Sequence, residues 1–335
     1  MEPDFIEPDF IELDGVEKVF DVRRRVPGTL RREKRRVRAV DGITFRVARG
    51  EMVGYIGPNG AGKSTTIKML TGILTPSGGR LRVAGIDPSR ERTRLARRIG
   101  VVFGQRTTLW WDLPLRDSYR LIHRLYRIPE ARYRENLDRC VELLDLGELL
   151  NVPVRQLSLG QRMRGDIAAA LLHDPEVLYL DEPTIGLDVV SKGKVREFLR
   201  DLNAERGTTV LLTTHDLTDI EQLCKRVMVI DHGRLMYDGA LGGLHEVGRS
   251  ERTLVVDLER ELPPIDAPDG ARVVRVEGPR QWLAFPAAQS AAPLVARIAA
   301  EYPLVDLSVR EPDIEAVIAK MYAERSEAPG AGVRG

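Results

Sequence analysis

The chain has 335 residues, and its 51 Lys and Arg against 50 Asp and Glu give a net charge of +1. Such a balance provides no global attraction to nucleic acid. The two cysteines, Cys140 and Cys224, lie far apart and argue against a disulfide scaffold or a zinc site, which favours a reducing compartment. Apolar stretches are far shorter than the ~20 residues of a membrane span, so any membrane part is expected to come from another polypeptide.

A first strand is predicted at residues 10–13, and a strongly basic segment follows it. Nine Lys and Arg lie between Arg23 and Arg38. One interpretation is a solvated hairpin or loop. Another is a basic face that meets anionic lipid headgroups or an acidic partner loop. Nucleic acid is the third choice, because no aromatic residues alternate with the arginines.

A glycine-rich loop of the form G-x-x-x-x-G-K-[ST] follows the apolar run at residues 52–56 and precedes a segment of helical spacing. Backbone N–H groups and the positive end of the helix dipole are expected to surround phosphate oxygens. Lys63 is expected to reach the β- and γ-phosphates, and the Ser64 hydroxyl to ligate Mg²⁺. A nucleoside triphosphate is therefore the predicted ligand. The predicted binding residues are Gly57, Pro58, Asn59, Gly60, Ala61, Gly62, Lys63, Ser64 and Thr65.

The middle of the chain changes from helical to strand patterns. Residues 116–150 have helical period, with an apolar stripe of Tyr133, Leu137, Cys140, Val141 and Leu144. Apolar strands are then predicted at 177–180 and 208–212, with a helix between them. Short apolar strands that alternate with helices imply a largely parallel sheet, whose ligands collect at the carboxyl ends of the strands.

Two adjacent carboxylates end the predicted strand at 177–180. Asp181 is expected to hold the Mg²⁺ shell, as an acid after an apolar strand does in P-loop NTPases. Glu182 is expected to point toward the γ-phosphate and to polarise an attacking water as general base. Such a pair is a weak signal alone and becomes a strong one about 120 residues after a complete P-loop.

Three further segments carry candidate phosphate contacts. Ser158 and Gly160, within Leu-Ser-Leu-Gly-Gln-Arg, lie just before a helix whose N-terminus favours anions. His215 follows a strand and is a candidate to contact the γ-phosphate and orient the water. Gln105 is a candidate for the Mg²⁺ or water shell. Singly, these have plain structural interpretations: a helix cap, a solvent-facing histidine and a surface glutamine.

The fixed order of these motifs resembles the nucleotide-binding subunit of ABC transporters over about residues 10–245. The resemblance implies an α/β P-loop NTPase fold with an inserted helical subdomain, and ATP with Mg²⁺ as ligands. The usual signature has glycine where this chain has Leu159, whereas Ser158 and Gly160 remain. Implied roles are Phe20 for adenine stacking, Gln105 for the Q-loop, Ser158, Gly160 and Gln161 for the signature, Asp181 and Glu182 for Walker B, Gly186-Leu187-Asp188 for the D-loop and His215 for the switch histidine.

The resemblance also implies partners. Two copies would pair head to tail, since one chain holds one P-loop and one signature, and hydrolysis would let the pair open. Integral-membrane permease subunits would receive this motion at the cytoplasmic face of the cell membrane, and no nucleic acid is expected. Trp110 and Trp111 lie where a permease would dock. One of them is expected to be buried and the other to face the partner.

The expected domains are an ATPase domain at 1–248, with a helical subdomain at about 106–165, a small α+β domain at 249–325 and a disordered tail at 326–335. The segment beginning at Glu311 resembles the small domain of drug-exporter-type ATPases of the ABC-2 class. Export of a drug-like or other amphipathic substrate is the predicted function. A polysaccharide or lipid exporter ATPase and a non-transport regulatory ABC ATPase stay open as alternatives.

Overall fold

The computed structural model describes residues 10–25, 32–104, 106–214, 216–247, 251–267, 270–310 and 317. The chain divides into two compact units, Met1–Gly239 and Ala240–Gly335. The division precedes the predicted boundary at residue 248. Gln105 and His215 lie outside the described residues, as does the predicted tail at 326–335.

Strands and helices alternate through most of the first unit. In chain order its elements are β1 (Ile11–Arg25), β2 (Arg32–Val47), β3 (Met52–Ile56), α1 (Lys63–Leu70), β4 (Gly78–Val83), α2 (Arg92–Ala96), β5 (Ile99–Phe103), α3 (Leu115–Tyr126), α4 (Glu130–Leu143), α5 (Leu159–Leu171), β6 (Val177–Asp181), α6 (Val189–Arg206), β7 (Thr209–Thr213), α7 (Leu217–Leu223), β8 (Arg226–Asp231) and β9 (Arg234–Ala240).

Two sheets share the core of this unit. One has the order β2-β1-β4 with antiparallel pairs, and the other has the order β5-β6-β7-β3-β8-β9. In the larger sheet β5–β6, β6–β7, β7–β3 and β3–β8 are parallel. Every residue of β3 and β7 is buried, because these strands are covered on both faces. The predicted α/β fold with a largely parallel sheet is confirmed.

The first strand is much longer than the predicted strand at 10–13. Gly15 has φ 57°, and the register with β2 shifts between Leu13 and Val16, which marks a bulge. Two further register shifts fall between Val16 and Val19, and from Val19↔Arg38 the pairing continues without a shift to Arg25↔Arg32. Ile11, Leu13 and Val16 are all buried, because the bulge between Leu13 and Val16 reverses which residues face inward. The described residues of the basic segment, 23–25 and 32–38, therefore lie on two paired strands.

Helices α3 and α4 lie between β5 and β6 along the chain, and the predicted apolar stripe on α4 is confirmed. Tyr133, Cys140 and Leu144 are buried, and Leu137 and Val141 are half-buried. Asn136 joins the buried face, where its side-chain nitrogen donates to the Leu172 carbonyl at 3.1 Å. No helix in the described part of the chain is long and apolar enough to cross a membrane.

The second unit is a small α+β structure, as predicted. Its elements are α8 (Leu241–Val247), β10 (Glu251–Leu258), β11 (Arg272–Glu277), β12 (Arg280–Pro286), α9 (Ala291–Glu301) and β13 (Leu304–Arg310). The strands form an antiparallel sheet in the order β11-β12-β10-β13. Leu254, Leu283 and Phe285 of the sheet share its core with Leu294 and Ile298 of α9. The segment beginning at Glu311 lies, apart from residue 317, outside the described residues.

Candidate active site

The P-loop connects β3 to α1 and borders a cavity of about 510 Å³. Gly57 and Ala61 of the predicted set do not line this cavity. A Cβ on Gly57 would overlap the Ile230 carbonyl, and Ala61 is buried, so both hold the loop in place from beneath. The lining residues that sequence analysis predicted are Pro58, Asn59, Gly60, Gly62, Lys63, Ser64, Thr65, Asp181 and Glu182.

Two glycines shape the loop. Gly60 and Gly62 have φ of 85° and 110°, which side chains rarely adopt, and a Cβ on Gly62 would lie 2.6 Å from the Ala39 carbonyl oxygen. Helix α1 begins at Lys63 with no side-chain cap from Gly62. The first N–H groups of the helix are therefore directed at the cavity without a competing acceptor from the cap.

Lys63 is held at the cavity by backbone oxygens. Its ammonium donates to the carbonyl oxygens of Gly57 at 2.5 Å and Pro58 at 3.1 Å. Burial lowers the pKa of this ammonium, and the nearby carboxylates of Glu182 and Asp181 act in the opposite direction. A phosphate group in the cavity would add a strong counter-charge and stabilise the charged form.

The parallel register brings the ends of three strands together. Phe103, Asp181 and Thr213 are paired across β5, β6 and β7. Asp181 accepts hydrogen bonds from Ser64 Oγ at 3.2 Å and from Thr213 Oγ1 at 2.6 Å. The structure thus joins the predicted pair Ser64 and Asp181. Thr213 was missed by the sequence analysis, and its position two residues before His215 was the available signal.

Glu182 lines the cavity directly after Asp181. Its backbone has φ 57°, a left-handed conformation that costs a non-glycine residue on the order of 1–3 kcal/mol. Its N–H donates to the Thr213 carbonyl at 2.9 Å, which fixes this turn against the neighbouring strand. Strain of this kind at a strand end fits a carboxylate that is aimed at a ligand.

Gly104 is a second residue that the sequence analysis missed. Its N–H donates to the Asp181 carbonyl at 2.6 Å. A Cβ at this position would overlap the Glu182 carbonyl oxygen and lie 2.9 Å from that of Asp181. Glycine is therefore required for β5 to approach the carboxylate pair, and its place directly before Gln105 was the available signal.

The residues on either side of position 215 are anchored to α6. Asp216 forms an ion pair with Lys192. Asp219, which is fully buried, accepts hydrogen bonds from Arg196 Nε at 2.6 Å and Thr214 Oγ1 at 3.3 Å. This network ties the segment that carries the predicted switch histidine to the helix that follows Glu182.

The signature residues begin helix α5 and form a reciprocal cap. Ser158 Oγ accepts from the Gln161 N–H at 3.2 Å, and Gln161 Oε1 accepts from the Ser158 N–H at 2.9 Å. The described residues that line the P-loop cavity do not include Ser158, Gly160 or Gln161. Leu159 packs on the D-loop, since its Cδ2 lies 2.5 Å from where a Cβ on Gly186 would be.

Phe20 is likewise not among the described residues that line the cavity. Its ring lies 5.3 Å from Lys18 Nζ, and its strand partner is Val37. Ala39, two residues after Val37 in β2, does line the cavity. A role for Phe20 beside the adenine stays a prediction.

The prediction that one of the two tryptophans is buried was wrong. Trp110 and Trp111 are 42% and 50% exposed, and Arg162 lies over the Trp111 ring at 5.4 Å. Leucines fill the adjacent core instead. Leu109 and Leu115 are buried and pack against Gly165, which leaves no space there for an indole.

A P-loop beside a Walker B carboxylate pair, with a signature helix outside the same cavity, defines an ATPase of the ATP-binding cassette class. Residues 40–185 match the family model described as ABC transporter. Daunorubicin resistance ATP-binding protein DrrA3 of Streptomyces coeruleorubidus is 42% identical, over 65% of this chain and 69% of that protein. ABC transporter ATP-binding protein NatA of Bacillus subtilis is 35% identical, over 65% of this chain and 89% of that protein.

A third relative and two solved structures support the same assignment to the ATP-binding cassette class. Nod factor export ATP-binding protein I of Ralstonia nicotianae is 37% identical, over 77% of this chain and 79% of that protein. The dimeric, post-hydrolysis ATP-binding cassette MJ0796 bound to ADP and Pi has a TM-score of 0.61 and 27% identity, covering 69% of this chain and 98% of that one. The structure of cbiO1 from Clostridium perfringens, part of the transporter complex cbiONQ, has a TM-score of 0.58 and 29% identity. The match covers 69% of this chain and 88% of that one.

The chain belongs to the family of ABC transporter ATP-binding proteins. It is an ATPase and the ATP-binding subunit of an ABC transporter.

Proposed function

We propose that two copies of this chain bind head to tail, so that the α5 N-terminus of one copy completes the P-loop site of the other. The main support is that Ser158 and Gly160 begin a capped helix but do not line the cavity of their own chain. A related cassette that binds ADP and Pi is described as a dimer. ATP between the copies would then stabilise the dimer, because each γ-phosphate contacts both chains.

The cavity also fits a magnesium ion. Ser64 Oγ and the Asp181 carboxylate are hard oxygen donors that lie 3.2 Å apart beside the P-loop, and Mg²⁺ prefers such donors. These two residues would hold the ion, with Gln105 as a further candidate ligand. When bound, Mg²⁺ neutralises negative charge on the phosphates.

The side chains of the chain have distinct roles in hydrolysis. Lys63 neutralises charge on the β- and γ-phosphates. Glu182 accepts a proton from the attacking water, which strengthens the water as a nucleophile. His215 contacts the γ-phosphate and orients that water, and Asp216 and Thr214 hold its segment in place.

The composite site is tested by separating nucleotide binding from dimer formation. In a Glu182→Gln background, Ser158→Ala is expected to leave ATP binding by the single chain within about 3-fold but to abolish the ATP-dependent dimer. Lys63→Ala is expected to lose both ATP binding and the ATP-dependent dimer. Nucleotide titration and size-exclusion chromatography with light scattering measure the two properties.

Ser290→Ala is the matched control. Ser290 caps α9 through the Ala292 N–H, so its loss removes a comparable cap and costs about 1 kcal/mol of stability. The dimer should persist in this control. Loss of single-chain ATP binding in the Ser158 variant, or a Glu182→Gln protein that stays monomeric with Mg-ATP, would contradict the composite site.

We propose further that this subunit drives the export of a drug-like or other amphipathic substrate through separate permease subunits, at the cytoplasmic face of the cell membrane. The support is that relatives at 42% and 37% identity are named for daunorubicin resistance and Nod factor export. The exposed Trp110 and Trp111 are candidates for the permease contact. A polysaccharide or lipid exporter and a regulatory ATPase are the alternatives.

Co-purification with polytopic membrane proteins, followed by ATPase assays of the complex with amphipathic drugs, tests the export proposal. We expect stimulation by the drugs that vanishes in the Glu182→Gln variant. Stimulation by polysaccharide precursors alone would favour the alternative exporter, and the absence of any membrane partner would favour the regulatory ATPase.

A further inference from the structure

The strands β1 and β2 continue beyond the three-stranded sheet as a two-stranded ribbon, here residues 20–25 and 32–37. Pairing of β1 with β4 ends at Glu17↔Gly78, whereas pairing with β2 continues to Arg25↔Arg32. Among the described residues no third strand joins the ribbon. Its valines Val22 and Val37 are 46% and 41% exposed. These valines lie on one face, and on the other face the side chains of Asp21 and Arg36 are 61% and 84% exposed. Both faces are thus accessible at the positions whose side chains the structure describes.

The strand register sorts the charges of the ribbon by face. Residues paired directly across two strands share a face, and successive pairs alternate between faces. Every second pair of the ribbon therefore belongs to one face, which carries five basic residues and one acid. This basic face consists of the positions of Asp21, Arg23, Arg25, Arg32, Lys34 and Arg36.

The opposite face has a different character. It carries two basic residues and one acid, and its other three positions are apolar. These positions are those of Phe20, Val22, Arg24, Glu33, Arg35 and Val37. The positive charge of the ribbon is thus concentrated on one side, with a net +4 on the basic face and +1 on the other.

The charges of the basic face reduce the stability of the ribbon. The register places position 23 opposite 34 and position 25 opposite 32, and all four residues are basic. Like charges at directly opposed positions of two strands are destabilising. Among the side chains of this face that the structure describes, Asp21 is near a cation, with its Oδ1 at 3.4 Å from Arg36 Nε. An external anion that binds this face would remove the repulsion.

The rest of the molecule has the opposite net charge. Residues 21–38 hold nine basic and two acidic residues, a net +7 in a chain whose total is +1. The remainder is therefore −6, and an anionic surface would attract the ribbon while it repels the rest. The segment that contains the ribbon is therefore the part of the chain that such a surface attracts most strongly.

We propose that the basic face of the ribbon binds the anionic headgroups of the membrane. A regular series of cations without aromatic residues on that face matches an extended layer of negative charge. Base stacking, which single-stranded nucleic acid recognition uses, has no ring on that face. The contact gives this ATP-binding subunit an attachment to lipid that is independent of its permease.

Binding to vesicles tests the proposal with the purified chain. The chain is expected to sediment with phosphatidylcholine vesicles that contain phosphatidylglycerol, and not with vesicles of pure phosphatidylcholine. The fraction bound should fall as the salt concentration rises, because salt screens the charges. Replacing Arg23, Arg25, Arg32 and Lys34 by Gln is expected to weaken partitioning by roughly 100-fold or more. Arg23→Gln with Lys34→Gln alone should weaken it by roughly 10-fold.

The matched control removes the same charge elsewhere. Arg90, Arg94, Arg120 and Arg134 are exposed, lie outside the ribbon and form surface pairs with nearby acids. Their fourfold replacement by Gln should change partitioning by less than about 3-fold, because they lie off the basic face. The basic-face variant should also unfold at an equal or higher temperature than the natural chain, since it loses repulsion.

Several results would overturn the proposal. They are no binding to anionic vesicles, equal losses in the two fourfold variants, or a lower unfolding temperature in the basic-face variant. Tighter binding to single-stranded RNA or polyglutamate than to vesicles at matched charge concentration would identify an acidic polymer as the ligand instead. ATP affinity and the ATP-dependent dimer should be unchanged throughout, so failure here is distinct from failure of the composite site.

Discussion

Replacing Glu182 by Gln is expected to reduce ATP turnover by roughly 100- to 10,000-fold, the range that a general base contributes. Gln has nearly the same shape but cannot accept the proton of the attacking water. ATP binding is expected to persist, because the P-loop and Lys63 contacts are unchanged. Slow hydrolysis would then leave the ATP-bound dimer trapped. Steady-state phosphate release and size-exclusion chromatography with Mg-ATP measure the two effects.

Glu197→Gln is the control for this substitution. Glu197 is exposed on α6 and does not line the cavity, so its replacement by Gln removes the same charge away from the site. Its turnover should stay within about 2-fold of the natural chain, since surface changes of this kind rarely exceed ~0.5 kcal/mol. Near-normal turnover in Glu182→Gln would assign the base to another residue.

Gly104→Ala is expected to reduce turnover by about 100-fold, the loss that a 1 Å misplacement of catalytic groups can cause. The added Cβ would overlap the Glu182 carbonyl oxygen, so β5 and the carboxylate pair must separate. Overpacking of this kind also costs about 1–3 kcal/mol of folding free energy. Phosphate release and denaturant unfolding measure the losses of activity and stability.

Gly193→Ala is the matched glycine substitution. Gly193 lies in α6, where an added Cβ meets nothing within 4 Å. Its replacement should preserve turnover and raise stability by up to about 1 kcal/mol, because alanine favours a helix. If Gly104→Ala is as active as Gly193→Ala, close approach of β5 to β6 is not needed for hydrolysis.

The P-loop and the signature were predictable because each depends on residues that are neighbours in sequence. A P-loop requires glycines at fixed places before a lysine and a helix, and the capped start of α5 requires Ser158 and Gln161 three residues apart. Asp181 and Glu182 likewise follow an apolar strand directly. Local backbone geometry fixes these features, so the sequence alone revealed them.

Features that depend on residues distant in sequence were not predictable in this way. Thr213 reaches Asp181 only because β6 and β7 pair in register, and Gly104 matters only because β5 ends beside Glu182. The tryptophans are exposed because Leu109 and Leu115 already fill the core. No pattern within a single segment contains such information.

The basic segment combines a feature that the sequence showed with one that it did not. Its composition, with nine cations in sixteen residues, was plain from the sequence, which left both a solvated hairpin or loop and an anionic ligand open. Which of its described cations share a face depended on the register shifts between Leu13 and Val19 and on the pairing that continues to Arg25↔Arg32. Sequence determined the charges and the nucleotide-binding motifs, because these are local chemistry. Tertiary structure decided which of them meet, because strand register and core packing join residues that the chain keeps far apart.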